Sequence, residues 1–111
     1  MDADRLLVNL RKGVVESCVL AVMREGEAYG VDLARRLTAA GLLASEGTLY
    51  PLLARLRASG EVATRWEESP SGPPRRYYRL TDAGRRSVER FDETWRAFSG
   101  AVDTIMKETG R

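Results

Sequence analysis

Toward the C-terminal end of the chain, Val88, Phe91, Trp95, Phe98, Val102 and Ile105 follow one another at intervals of three, four, three, four and three. That alternation keeps six apolar side chains on one stripe of a helix, in the a and d positions of a heptad pattern. Glu89, Arg90, Asp92, Glu93 and Arg96 occupy the other faces. A lone helix with such a stripe exposes more apolar area than a monomer tolerates, so the seam must be covered. A second copy of the chain is the simplest cover, with the first helix as the second wall. All six residues are therefore expected to serve dimerisation. The chain has 111 residues, one domain's worth, and divides naturally into 1–80 and a terminal helix over 81–111, which Thr81 caps.

Upstream, the period changes from helical to alternating. Leu7, Leu10, Val14, Cys18 and Ala21 recur at helical spacing and predict a helix from about Asp4 to Arg24, stopped by Gly26 and largely buried from Val14 to Met23. Val31, Leu33, Ala34 and Leu37 predict a second helix from about Tyr29 to Ala40, closed by Gly41. A third begins at Ser45, a good N-cap, carries Leu49, Leu52, Leu53 and Leu56 on one face, and closes at Gly60. Pro51 inside it requires either a kink or an irregular first turn. Val62, Thr64 and Trp66 then alternate with Ala63, Arg65 and Glu67, which is a strand period. Ser69 to Pro74 reads as a turn-rich loop, and Arg76 to Leu80 as the returning strand. Tyr77 and Tyr78 face opposite sides of it, so one of them belongs to the core. Two short helices joined by a turn, followed by a two-stranded ribbon and a long helix, make a mainly α fold: a winged helix-turn-helix with a small two-stranded β wing and a long C-terminal dimerisation helix.

Composition removes several function classes. The chain has no histidine and one cysteine, so the commonest general base and the usual zinc ligands are missing. No enzyme activity, metal or cofactor is expected. Cys18 cannot form an intrachain disulfide and is expected as a small core residue of a cytoplasmic protein. No apolar run reaches membrane-spanning length, and the segment Met1 to Arg11, with Asp2 and Asp4, does not read as a signal peptide. Net charge is only +2, yet Arg75, Arg76, Arg79, Arg85 and Arg86 cluster between Ser71 and Arg86 with Asp82 as the single acid. Such a local positive stretch suits phosphate.

With this order of elements in place, the chain resembles the PadR family of bacterial transcriptional regulators. The resemblance rests on Tyr29-Gly30, on Ser45-Glu46-Gly47-Thr48-Leu49-Tyr50-Pro51-Leu52-Leu53, on Arg55-Leu56, and on Arg76-Tyr77-Tyr78-Arg79-Leu80-Thr81-Asp82-Ala83-Gly84. It covers roughly residues 10–86 and accounts for Pro51. The single C-terminal helix is similar to the short form of the family. One departure is Arg57, in a segment where the family often carries an acid.

What the resemblance implies is sequence-specific binding of double-stranded DNA at a palindromic operator by a homodimer, with repression relieved by a small aromatic or apolar effector. The third helix would enter the major groove with Ser45, Glu46, Gly47, Thr48 and Tyr50 at its start, and Arg55 and Arg57 further along within reach of phosphate. Tyr50 is read either as a DNA contact or as a half-buried packing residue. Tyr29, opening the second helix, is grouped with these contacts. Arg75 and Arg76 on the wing would contact the backbone or enter the minor groove. Trp95, in mid-seam, either lines an effector space between subunits or packs the dimer core. A winged helix can instead serve as a protein-protein interaction module, and the positive wing combined with the small polar start of the third helix argues for DNA.

Overall fold

The computed structural model describes residues 3–110. Helix α1 spans Ala3–Val22 and continues as a 3-10 turn over Met23–Glu25. A short strand β1 (Ala28–Tyr29) leads into α2 (Gly30–Ala39). A second 3-10 turn (Glu46–Thr48) opens α3 (Leu49–Ala58), which is followed by β2 (Val62–Ser69), β3 (Gly72–Leu80) and α4 (Asp82–Thr109).

The sheet has three antiparallel strands in the order β1-β3-β2, one more than the alternating pattern announces. Ala28 pairs with Tyr78 and Tyr29 with Tyr77. A strand of two residues has no period to read, and Tyr29, expected in the second helix, sits in this strand instead. The expected wing loop is also shorter than read. Ser69 pairs with Gly72, so the ribbon reverses over Pro70 and Ser71, and Pro73 and Pro74 lie within β3. Their missing N–H groups are tolerated because β1 ends far below and leaves that edge of β3 free.

Both short helices end as their glycines foretell. Gly41 and Gly60 have φ of 80°, and the following residues bond back five positions, Leu42 N to Leu37 O and Glu61 N to Leu56 O. Pro51 is resolved by the irregular first turn. The 3-10 segment takes up Glu46–Thr48, and proline falls at the third residue of α3, where its missing N–H costs little. Ser45 precedes that turn in extended conformation but its side chain caps nothing. Thr81 does cap α4, accepting from Gly84 N at 3.1 Å.

The core draws Val19, Leu20 and Met23 from α1's C-terminal end, Leu33, Ala34 and Leu37 from α2, and Leu49, Leu53 and Leu56 from α3. Val62, Tyr78, Leu80 and Val88 close it. Val31, counted in the apolar stripe of α2, is exposed, and Cys18 is half-buried beside the core, where burial pushes its thiol above the usual range. Residues 14–18 of α1, expected to be largely buried, are only half-buried within one chain. Val88 is buried against the chain's own core, so it is not available to the seam on which its spacing places it. Beyond it α4 leaves the body, which gives the molecule extents of 60 × 31 × 21 Å. None of the described helices is long and apolar enough to cross a membrane.

Candidate nucleic-acid interface

The β2–β3 ribbon carries the core face outward. Residues opposite one another in an antiparallel pair share a face. Val62 and Leu80 are paired, then Thr64 and Tyr78, then Trp66 and Arg76. The first pair is buried in the core and Tyr78 is still buried, whereas Trp66 is 63% exposed. The same face therefore begins as core and ends as open surface beside α3.

Between this face, α2 and α3 lies a depression in two parts. One, of about 560 Å³, is lined by Tyr29, Gly30, Val31, Asp32, Arg35, Tyr50, Arg75, Arg76 and Tyr78. The other, of about 490 Å³, is lined by Tyr50, Leu53, Ala54, Arg57, Ala58, Arg76 and Tyr78. Tyr50, Arg76 and Tyr78 belong to both and form the ridge between them. Tyr50 stands at this ridge because residue 30 has no side chain. A Cβ on Gly30 would lie 3.0 Å from the Tyr50 ring and 3.5 Å from Tyr78. Tyr50 thus packs on one side and remains 48% exposed on the other.

Four arginines are held in ion pairs, and four others gather around the depression. Arg36 pairs with Glu25, Arg55 with Glu16, Arg65 with Glu27 and Glu67, and Arg96 with Asp92. Arg35, Arg57, Arg75 and Arg76, which line the depression, have no carboxylate partner among the described residues. Asp32 lines the same space and forms no ion pair among the described residues. Arg75 and Arg76 are held by rings instead: Arg75 lies 5.1 Å from the centroid of Tyr29 and Arg76 4.5 Å from that of Trp66. A guanidinium resting on a ring keeps its N–H groups free in its own plane. The face is therefore positive and geometrically prepared for anionic oxygen.

Arg75, Arg76, Tyr29 and Tyr50 come together in the depression. Tyr29 stacks on Tyr77 with centroids 4.0 Å apart, and the hydrogen bond that the Tyr77 hydroxyl donates to Tyr29 is the main reason the Tyr77 phenol is pushed up to about 12. Ser45, Glu46, Gly47 and Thr48 are exposed on the turn before α3, and Thr48 Oγ1 donates to Ser45 O at 2.7 Å. Arg55 does not join them, because its guanidinium is tied to Glu16 of α1. Arg57, expected beside it within reach of phosphate, does line the depression. Arg35 had no signal in the sequence beyond its charge, since only packing puts one side of α2 along the depression.

A second exposed surface lies elsewhere. Trp95, Phe98, Val102 and Ile105 on α4 are 44%, 64%, 45% and 58% exposed, and Leu6, Leu7 and Leu10 on α1 are exposed as well. Phe91 is half-buried and stacks on Trp95 with centroids 6.0 Å apart.

Comparison with known proteins agrees with this architecture. The model of the transcriptional regulator PadR-like family matches residues 19–90. A transcriptional regulator of Mycobacterium tuberculosis is 35% identical over 78 residues, covering 70% of this chain and 72% of that protein. The crystal structure of a PadR family transcriptional regulator from Eggerthella lenta superposes with a TM-score of 0.82 at 34% identity, over 93% of this chain and 90% of the other. Bacillus subtilis PadR, solved in complex with operator DNA, superposes with a TM-score of 0.64 at 25% identity, over 70% of this chain and 46% of that one. These relatives are transcriptional regulators rather than enzymes. With its fold, its Gly-Thr-Leu-Tyr-Pro turn and two thirds of its length matched, this chain belongs to the PadR-like family of transcriptional regulators.

Proposed function

We propose that the chain binds double-stranded DNA at a palindromic operator as a homodimer and represses transcription until a small aromatic or apolar effector releases it. The observation that carries the DNA reading is the gathering, around one depression beside α3, of four arginines without carboxylate partners among the described residues. Elsewhere on this chain several arginines are neutralised by neighbours. Cations left unpaired on one face attract phosphate and release its counterions, which supplies most of the affinity for DNA. The exposed turn Ser45–Thr48 and the start of α3 then meet base edges in the major groove. A relative bound to operator DNA supports the same partner.

The dimer reading rests on the apolar stripe of α4 beyond Val88 together with exposed leucines of α1. Two-fold symmetry sets two α3 helices for half-sites about one helical turn apart. Trp95 is placed on that stripe and offers a ring against which a flat apolar effector can stack. The direct test is to sequence the genomic fragments retained by the purified protein at moderate salt. An inverted repeat shared by those fragments is the expected result. Retention of no DNA at any salt removes the DNA reading and favours a protein-interaction module.

A further inference from the structure

Among the described residues, the large apolar side chains left exposed fall into two groups. One lies along α1 and α4. The other consists of Val31, Tyr50 and Trp66. Val31 and Tyr50 line the basic depression, and Trp66 shares its face of the ribbon with Arg76. Folding therefore leaves the wing's largest ring bare at the place where the cations are unpaired.

We propose that Trp66 is a DNA-contacting residue of the wing, whose ring holds the Arg76 guanidinium ready for a backbone phosphate and itself packs against the adjoining sugar. This deepens the DNA reading above and rests on it. Arg76 has no hydrogen-bond acceptor among the described residues, and its Nε is shielded from solvent without a partner there. The ring under the guanidinium is thus what fixes it, at 4.5 Å from the centroid. A cation held over an aromatic face keeps its charge and its outward N–H groups. Holding it in advance lowers the ordering cost of binding. A basic or neutral partner fits less well, because this ridge is flanked by Arg57 and Arg75. Glu68 lies on the same face one step beyond Trp66, faces solvent, and opposes a phosphate there. An apolar partner would leave the four guanidinium groups to be desolvated without compensation. Duplex DNA, with anionic oxygens alternating with less polar sugars, satisfies both halves of the pair.

The chain has two tryptophans, so in a Trp95→Phe background Trp66 is the only indole emitter. That protein is titrated with a 30-base-pair duplex at low salt while emission and iodide quenching are followed. The expected result is a change in Trp66 emission at saturation and at least a twofold fall in its quenching by iodide. In the otherwise unmutated protein, Trp66→Leu should weaken duplex binding about fivefold while leaving the salt slope unchanged, since no charge is lost. Arg76→Ala should lower the slope by about one, and adding Trp66→Leu to it should cost less than twofold more. Glu68→Gln should tighten binding. Saturation by DNA with Trp66 emission and iodide access unchanged overturns the proposal and leaves the DNA reading standing. Failure of the unmutated protein to bind any duplex overturns both. Circular dichroism and thermal melting of Trp66→Leu check folding, and a Trp66→Leu protein that melts normally and binds as tightly as the unmutated one also overturns the proposal.

Discussion

Arg55 Nη2 stands 2.6 Å from Glu16 Oε1, and this ion pair turns one cation of α3 away from the depression and toward α1. Two residues on, Arg57 lies about 200° further round the helix and beside Tyr50, with no carboxylate partner among the described residues. Arg57→Ala should therefore lower the slope of log K against log salt by about one. Arg55→Ala should change it by much less. Both charges of the Arg55–Glu16 pair are about half exposed, so its loss should cost at most about 1 kcal/mol of stability. Equal slope changes for the two variants, measured by fluorescence anisotropy, would place Arg55 on the DNA as well.

Arg75 and Arg76 make a stronger case together. Each rests on a ring and neither has a carboxylate partner among the described residues. Replacing both by alanine should weaken binding to all sequences alike and reduce the salt slope by about two. A slope that stays at its original value removes the wing from the interface.

Gly84 tests the join between wing and α4. A Cβ at that position would lie 2.2 Å from Glu61 O and 2.6 Å from Leu80 Cδ1. The carbonyl cannot yield easily, because it accepts from Thr81 N at 3.1 Å. Gly84→Ala should therefore destabilise the protein by about 1–3 kcal/mol through overpacking. Urea unfolding is the measurement, and an unchanged midpoint would contradict the close approach.

The seam can be tested without touching the core. Phe98 is 64% exposed, so Phe98→Lys should leave the fold of the protomer intact. Sedimentation at micromolar concentration should change from dimer to monomer, and affinity for a two-fold operator should fall with it. If Trp95 lines an effector space, planar aromatic compounds should quench tryptophan emission in a Trp66→Phe protein and should not bind after Trp95→Ala. A monomer in the unmutated protein would end the dimer reading.

Binding should also be nearly independent of pH across the neutral range. The chain has no histidine, and arginine keeps its charge throughout. The groups that respond lie outside that range. The Arg36 and Arg65 guanidinium groups hydrogen-bond to Glu25 and Glu27 and hold their carboxyls below the usual range. Groups depressed in this way stabilise the fold above the unfolded carboxylate pKa, and that contribution is lost as pH falls through the folded value. Tyr77, raised to about 12, favours the folded state below the ordinary tyrosine pKa, and its contribution is lost as pH rises through the folded value. Duplex affinity at constant ionic strength should therefore stay within about twofold from roughly pH 6 to 8.5. A steep change inside that window would show that a group titrating near neutrality takes part in binding.

What the sequence determined by itself is whatever acts within a few residues. The heptad spacing announces α4, Thr81 its cap, Gly41 and Gly60 the ends of α2 and α3, and alternation the ribbon from Val62. These depend on backbone preference and periodicity, which neighbours alone decide. The tertiary structure decided which charges are spent and which are free. Arg55 and Glu16 are 39 residues apart, and Arg65 and Glu27 are 38 apart, so no local pattern reveals that these cations are taken. Packing also made Val88 a core residue and left Trp66 bare, although both sit in regular apolar patterns. Period tells which face a side chain shares. Only the position at which the neighbouring elements end tells whether that face is covered, and for the ribbon that limit falls between Tyr78 and Arg76.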